Sequence, residues 1–241
     1  MITPKPGGAR IPDITRKFKM KKTIIVDIET GPLPQEQILY LIPEFKPEDV
    51  KTGNLKDPAK IEEKIAAACA AHRESFIRDA ALDALTCKIV AIGMKPLNEE
   101  PAFLVGQEFP EGEIAILTQF NEMIRVDSTP ATIVTFNGNT FDLSVIFRRC
   151  LIHNIQPPRH LRSGRYWSAF SCDLREEWQL GDKKTKGSLD SICQAMGIGR
   201  KSGNGKDFAA LLKTDPYAAI AYLRNDLVLT EALYKRLVPQ Y

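Results

Sequence analysis

Ile24-Ile25-Val26-Asp27-Ile28-Glu29-Thr30-Gly31 is the stretch on which the reading of this chain turns. A short apolar run rich in β-branched residues, closed by Gly31-Pro32, is expected to form a buried strand from Lys22 to Glu29. Successive strand side chains alternate between faces, so Asp27 and Glu29 share one face. Two carboxylates on one face at the end of an apolar strand repel each other unless a cation lies between them. A strand end reaching solvent carries the same pair for no chemical reason, so this motif alone leaves both readings open.

Beyond this strand the pattern changes. Residues 34–85 carry no strand signal, and Asp57 to Asp83, rich in Ala, Glu, Lys and Arg, reads as one or two helices. This is a helical insertion, with Ala66 to Ala71 expected to serve helix–helix packing. Lys88 to Met94 and Ala102 to Val105 read as the next two strands. Glu113 to Arg125, with Leu117, Phe120 and Ile124 at helical spacing, reads as a helix lying on the sheet. Thr132 to Phe136 is a fourth strand, followed by an Asn137-Gly138 turn and a helix from Thr140 to His153. Ser168 to Cys172 is a fifth strand. Ser188 caps a short helix that Gly197 stops. Asp215-Pro216 opens the last helix, which runs to Leu237. Strands alternating with helices indicate an α/β layered fold.

The chain has 241 residues, 44% hydrophobic and 26% charged, with a net charge of +3. That suits one globular domain with an insertion and leaves nucleic acid open as a partner. Cys69, Cys87, Cys150, Cys172 and Cys193 are widely spaced and form no C-x-x-C pair, so reduced thiols and a cytoplasmic location are expected. His72, His153 and His160 add no zinc spacing. Apolar runs long enough for a bilayer are lacking, the N-terminus carries no signal-peptide pattern, and no membrane association is expected. Residues 1–21 form a basic leader, read either as a solvated segment or as an arm touching phosphates.

Two further motifs bear on chemistry. Asp142 follows the Asn137-Gly138 turn and falls in the first turn of a helix, where the helix dipole favours an acid in any case. Tyr222 and Asp226 are four apart on the last helix, so they stack on one face one turn apart. A half-buried tyrosine beside a solvated aspartate is common on helices. The informative feature is the conjunction of three motifs that supply carboxylate oxygens, the ligands that hard cations such as Mg²⁺ take. Weaker candidates are Asp173 at a strand end, and the basic loops with Lys183, Lys184 and Lys186 or with Arg200, Lys201 and Lys206. Each loop either tracks a phosphate backbone or is simply solvated. Tyr166 and Trp167 are either base-stacking or core aromatics.

In order and spacing, D-x-E-T at Asp27 to Thr30, N-G-x-x-F-D at Asn137 to Asp142 and Y-x-x-x-D at Tyr222 to Asp226 resemble the DEDD superfamily of 3′–5′ exonucleases. The third motif matches the tyrosine subclass. The chain looks similar to stand-alone relatives of the proofreading domains of family B DNA polymerases. The resemblance implies a ribonuclease H-like mixed five-stranded sheet flanked by helices over residues 22–241, with the insertion at 34–85 between the first two strands. It implies two Mg²⁺ or Mn²⁺ ions. Asp27, Glu29 and Asp226 would ligate the first, Asp27 would bridge to the second, and Asp142 would hold the second directly or through water. Tyr222 would orient or deprotonate the attacking water. Thr30 would contact the terminal 3′-hydroxyl. Asn137 and Phe141 would line the nucleotide pocket, with Phe141 equally readable as core. The implied reaction is release of nucleoside 5′-monophosphates from DNA 3′ ends, single strands preferred. The alternatives are a 3′–5′ exoribonuclease and a non-catalytic nucleic-acid-binding module on the same fold.

Overall fold

The computed structural model describes residues 23–106, 108–124, 131–158, 170–203 and 205–238. The basic leader, Lys22, Arg125, His160, Tyr166, Trp167 and Ser168 lie outside the described residues. Five strands form one sheet in the order β3-β2-β1-β4-β5: β1 (Thr23–Pro32), β2 (Cys87–Pro96), β3 (Ala102–Val105), β4 (Thr132–Thr135) and β5 (Ser171–Asp173). β2 runs antiparallel to both β1 and β3, whereas β4 is parallel to β1 and to β5. The first strand among the described residues is therefore central, with both edges built from later sequence.

Alternation along β1 divides its side chains between two layers. Ile24, Val26 and Ile28 enter one core with Leu117 and Phe120 of α3 (Glu111–Ile124) and with Val145 and Ile146 of α4 (Asp142–Ile152). Ile25 enters the opposite core with Leu227, Leu229 and Leu233 of α8 (Pro216–Leu237). Each buried branched side chain of this kind contributes about 1.5–3 kcal/mol, so a one-residue slip of β1 would sacrifice both cores. Asp27 and Glu29 follow Ile25 in phase and so face α8.

Gly93 of β2 lies opposite Asp27 in the ladder. A Cβ there would stand 2.7 Å from Leu227 Cδ1 and 3.1 Å from Leu223 Cγ. The missing side chain lets α8 settle close to the sheet at the level of Asp27. Asp215 caps α8 by accepting from the Ala218 N–H, with Pro216 at the first helical position.

Between β1 and β2 the chain forms α1 (Gln35–Leu41), a 3₁₀ turn (Pro47–Asp49), α2 (Pro58–Asp79) and a second 3₁₀ turn (Ala80–Leu82). The alanine run of α2 differs from expectation: Ala66, Ala67, Ala70 and Ala71 are exposed, and only Ala68 is half-buried. Lys60, Glu62, Glu63, Lys64, Arg73 and Glu74 leave α2 too narrow an apolar stripe to bury a second face. The insertion returns to the sheet through Thr30 Oγ1, which donates to the Ala81 carbonyl at 2.7 Å.

A register shift between Glu29 and Thr30 marks a β-bulge against β2. At this level the Ile89 N–H donates to buried Glu113 Oε1 at 2.8 Å. Glu113 is itself held by Arg149, whose Nε and Nη2 donate to its two oxygens at 2.9 and 2.7 Å. The pair joins α3, α4 and β2 behind the bulge. Two short helices, α5 (Leu174–Gln179) and α7 (Phe208–Thr214), had no counterpart in the sequence reading; α6 (Leu189–Ala195) follows its Ser188 cap. No helix among the described residues is long and apolar enough to cross a membrane.

Candidate active site

β1 and α8 bring the first and third motifs together. Asp27, Glu29 and Asp226 each offer an oxygen, and these atoms lie within 4.8 Å of one another. Asp142 comes from the start of α4, where its Oδ1 accepts the Ile28 N–H at 3.0 Å. The bond fixes the second motif to the strand residue between Asp27 and Glu29. Tyr222, one turn before Asp226, is buried at 6% exposure.

Crowding and burial show in the proton affinities. Asp27 is raised well above the ordinary carboxyl range by burial first, then by Asp142, Glu29 and Asp226. Burial, with Asp226 next, lifts Glu29 to about 8. Asp142 reaches about 7, burial outweighing its backbone hydrogen bonds. Asp226 is raised by burial against the opposing pull of Lys201. Burial, with neighbouring carboxyls adding to it, thus raises all four carboxyls above their ordinary range, as crowded acidic groups require.

Lys201 lies in the loop ahead of α7. Its Nζ is 2.6 Å from Asp226 Oδ2 and 5.2 Å from the centre of the Tyr222 ring. Burial opposes its charge, but hydrogen bonding to Asp226 and Tyr222 raises its pKa overall. Asp226 Oδ1 is buried and has no hydrogen-bond partner among the described residues. A buried, unpartnered oxygen on a carboxylate that clusters with two others is a candidate cation ligand, and all-oxygen donors suit Mg²⁺ or Mn²⁺. The residues present therefore fit the divalent ions that the resemblance implies.

The remaining candidates take other positions. Thr30 spends its hydroxyl hydrogen on Ala81. Asn137 has a left-handed backbone (φ 67°), and its Oδ1 accepts from Arg175 Nη1 at 3.1 Å. Phe141 is partly buried against the α3–α4 core. Asp173 is more than a strand-end acid. Its oxygens accept the N–H groups of Asn137 (2.7 Å), Asn139 (3.0 Å) and Arg175 (3.0 Å), so it shapes the turn before Asp142 and caps α5. A strand-end acid followed at once by a helical stretch was the signal available for it. For Lys201, a lysine among glycines shortly before the last helix was the signal, though nothing in that pattern selects it from Arg200 or Lys206.

A five-stranded mixed sheet flanked by helices defines the α/β class with a ribonuclease H-like fold. Residues 80–239 match the family model described as a predicted 3′–5′ exonuclease related to the exonuclease domain of PolB, and the chain belongs to that family. Asp27 and Glu29 precede the matched residues, so their membership of the site rests on geometry. Among solved structures, the family B DNA polymerase from the hyperthermophilic archaeon Pyrobaculum calidifontis is similar in fold, with a TM-score of 0.52 and 14% identity over 90% of this chain. The chain spans 24% of that polymerase. No curated protein matches the chain.

Proposed function

We propose that this protein is a metal-dependent 3′–5′ exonuclease of the tyrosine DEDD subclass, acting on DNA 3′ ends with a preference for single strands. The observation that carries this reading is the convergence of Asp27, Glu29 and Asp226 within 4.8 Å, with Asp142 tied to the intervening strand residue.

Asp27, Glu29 and Asp226 would hold one Mg²⁺ or Mn²⁺, with Asp27 and Asp142 serving a second. When bound, the ions supply Lewis acidity to the phosphate and lower the pKa of water. The chain supplies placement. A water oxygen adds to phosphorus, and the bond from phosphorus to the 3′ oxygen of the preceding nucleotide breaks. The water's proton passes to solvent, and the departing 3′ oxygen takes one up, leaving a nucleoside 5′-monophosphate and a new 3′-hydroxyl. Burial holds the Tyr222 phenol well above its usual range, so it keeps its proton and orients the water as a hydrogen-bonding group. Lys201 places a positive charge between Asp226 and Tyr222, where it offsets carboxylate repulsion and faces the incoming phosphate. Single strands are favoured because fraying a duplex end costs unpairing energy. The free thiols, with Cys87, Cys150 and Cys193 buried, suit a reducing cytoplasm.

The test is digestion of 5′-labelled and 3′-labelled DNA and RNA oligonucleotides with Mg²⁺ or Mn²⁺. Stepwise shortening of 5′-labelled single-stranded DNA, with mononucleotide released from the 3′ label, is expected. Faster digestion of RNA would move the assignment to an exoribonuclease; binding without shortening would leave a binding module.

A further inference from the structure

Gly205 opens a 3₁₀ turn (Gly205–Asp207) just before α7. A methyl built on its Cα would meet Glu29 Oε2 and the Tyr222 hydroxyl oxygen at 3.4 Å each. A carboxylate on β1 and a phenol on α8 therefore converge on one point, and the Gly205 backbone walls that point from the loop side. Gly203 lies against the same tyrosine, its would-be Cβ 3.0 Å from Tyr222 Cδ2.

This strap is anchored before it reaches the site. The Lys201 N–H donates to Asp190 Oδ1 on α6 at 2.8 Å, and the Ser202 N–H donates to Asn225 Oδ1 on α8 at 3.0 Å. The Lys201 ammonium adds its bond to Asp226. Asn225 and Asp226 are neighbours, so the helix that carries the tyrosine and the aspartate also fixes the strap. Behind it, Gly31 and Ala209 pack closely, with a Cβ on Gly31 reaching 2.9 Å from Ala209 Cβ. Contacts to α6 and α8 thus hold Lys201 and Ser202 ahead of the site, and contact with β1 holds α7 beyond it.

We infer that Gly205 is a positioning residue: its lack of a side chain keeps room for the attacking water between Glu29 and the Tyr222 hydroxyl, and the anchored strap fixes where that water stands. The inference rests on the exonuclease reading and names a residue that reading does not require. A contact at 3.4 Å is ordinary van der Waals distance, so a methyl at this position fills the space without a clash.

The experiment compares wild type with Gly205→Ala on single-stranded DNA with Mg²⁺, alongside melting with and without Mn²⁺. The expected result is a fall in kcat of about tenfold or more, with KM, Tm and the Mn²⁺-induced rise in Tm unchanged. In a Tyr222→Phe background the same substitution is expected to cost less than about twofold, because the two changes act on one water. A folded Gly205→Ala protein with wild-type kcat overturns the inference alone. Loss of the Mn²⁺ response in Gly205→Ala also overturns it, since the methyl would then act on the carboxylates. A wild type that binds Mn²⁺ but cleaves neither DNA nor RNA overturns the exonuclease reading itself and the inference with it. Should Gly205→Ala fail to fold, Asn225→Ala frees the strap and is expected to lower kcat, with recovery in Asn225→Asp, which keeps the acceptor. Equal rates in those two variants would overturn the inference.

Discussion

Lys201 Nζ stands 2.6 Å from Asp226 Oδ2, so one oxygen of this candidate ligand is held by an ammonium while Oδ1, buried, has no hydrogen-bond partner among the described residues. The lysine both neutralises and aims the carboxylate. Lys201→Met removes the charge while keeping most of the apolar stem. Because the lysine is 27% exposed, the loss is discounted to about 1–2 kcal/mol of stability in metal-free protein. Denaturant titration with and without Mn²⁺ checks this. The deficit is expected to shrink when Mn²⁺ is present, and a variant as stable as wild type without metal would show that the pair is idle.

Acidic groups with raised pKa values set the pH behaviour of the metal-free protein. Such a group binds its proton more tightly when folded, so its contribution is complete below the unfolded pKa and is lost as pH rises through the folded value. With Glu29 at about 8 and Asp142 at about 7, the loss falls between roughly pH 4 and 8. Glu29→Gln mimics the protonated acid permanently. In EDTA its Tm is expected to gain on wild type steadily from pH 5 to 8.5, and the gap should close with Mn²⁺. A gap that is constant with pH would mean Glu29 ionises freely.

The Tyr222 hydroxyl is assigned to orientation of the reacting water. Tyr222→Phe keeps the ring in its contact with Phe208 (centroids 6.1 Å apart) and removes only the oxygen. Single-turnover kinetics are expected to slow about 10²-fold, with DNA affinity in Ca²⁺ nearly unchanged. Undiminished turnover would remove the phenol from the mechanism.

Gly93 allows α8 to approach β2 opposite Asp27. Gly93→Ala places a methyl 2.7 Å from Leu227 Cδ1, so α8 must shift or Leu227 must change rotamer. Overpacking of this kind costs about 1–3 kcal/mol. Thermal melting measures the cost, and the Mn²⁺-induced Tm rise is expected to shrink because Asp226 moves with α8. An unchanged Mn²⁺ response would show that the helix absorbs the methyl without moving its carboxylate.

Much of this arrangement was legible in the sequence because it follows from local periodicity. Alternation along Ile24 to Glu29 put Asp27 and Glu29 on one face, four-residue spacing put Tyr222 beside Asp226, and Asp215-Pro216 and Ser188 announced helix starts. What was hidden depends on contacts between distant segments. Lys201 sits in a glycine-containing loop whose path depends on hydrogen bonds to the distant Asp190 and Asn225. The role of Asp173 appears once β5 lies beside β4, and Glu113 becomes an anchor only when Arg149 of α4 reaches it. The Thr30 hydroxyl donates to the insertion at Ala81, a partner 51 residues away that no local pattern announces. Short helices such as α5 and α7 have too few turns to show a periodicity.

The most direct measurement is calorimetric titration of Mn²⁺ into metal-free wild type and Asp226→Asn at pH 7, in buffers of different ionisation enthalpy. Carboxyls that hold protons in the metal-free state must release them when a divalent ion binds. Saturable binding with proton release in wild type, weakened at least about tenfold in Asp226→Asn, is the expected result. Folded wild type that takes up no Mn²⁺, or binds it equally well without Asp226, would contradict a divalent-ion centre built from Asp27, Glu29, Asp142 and Asp226.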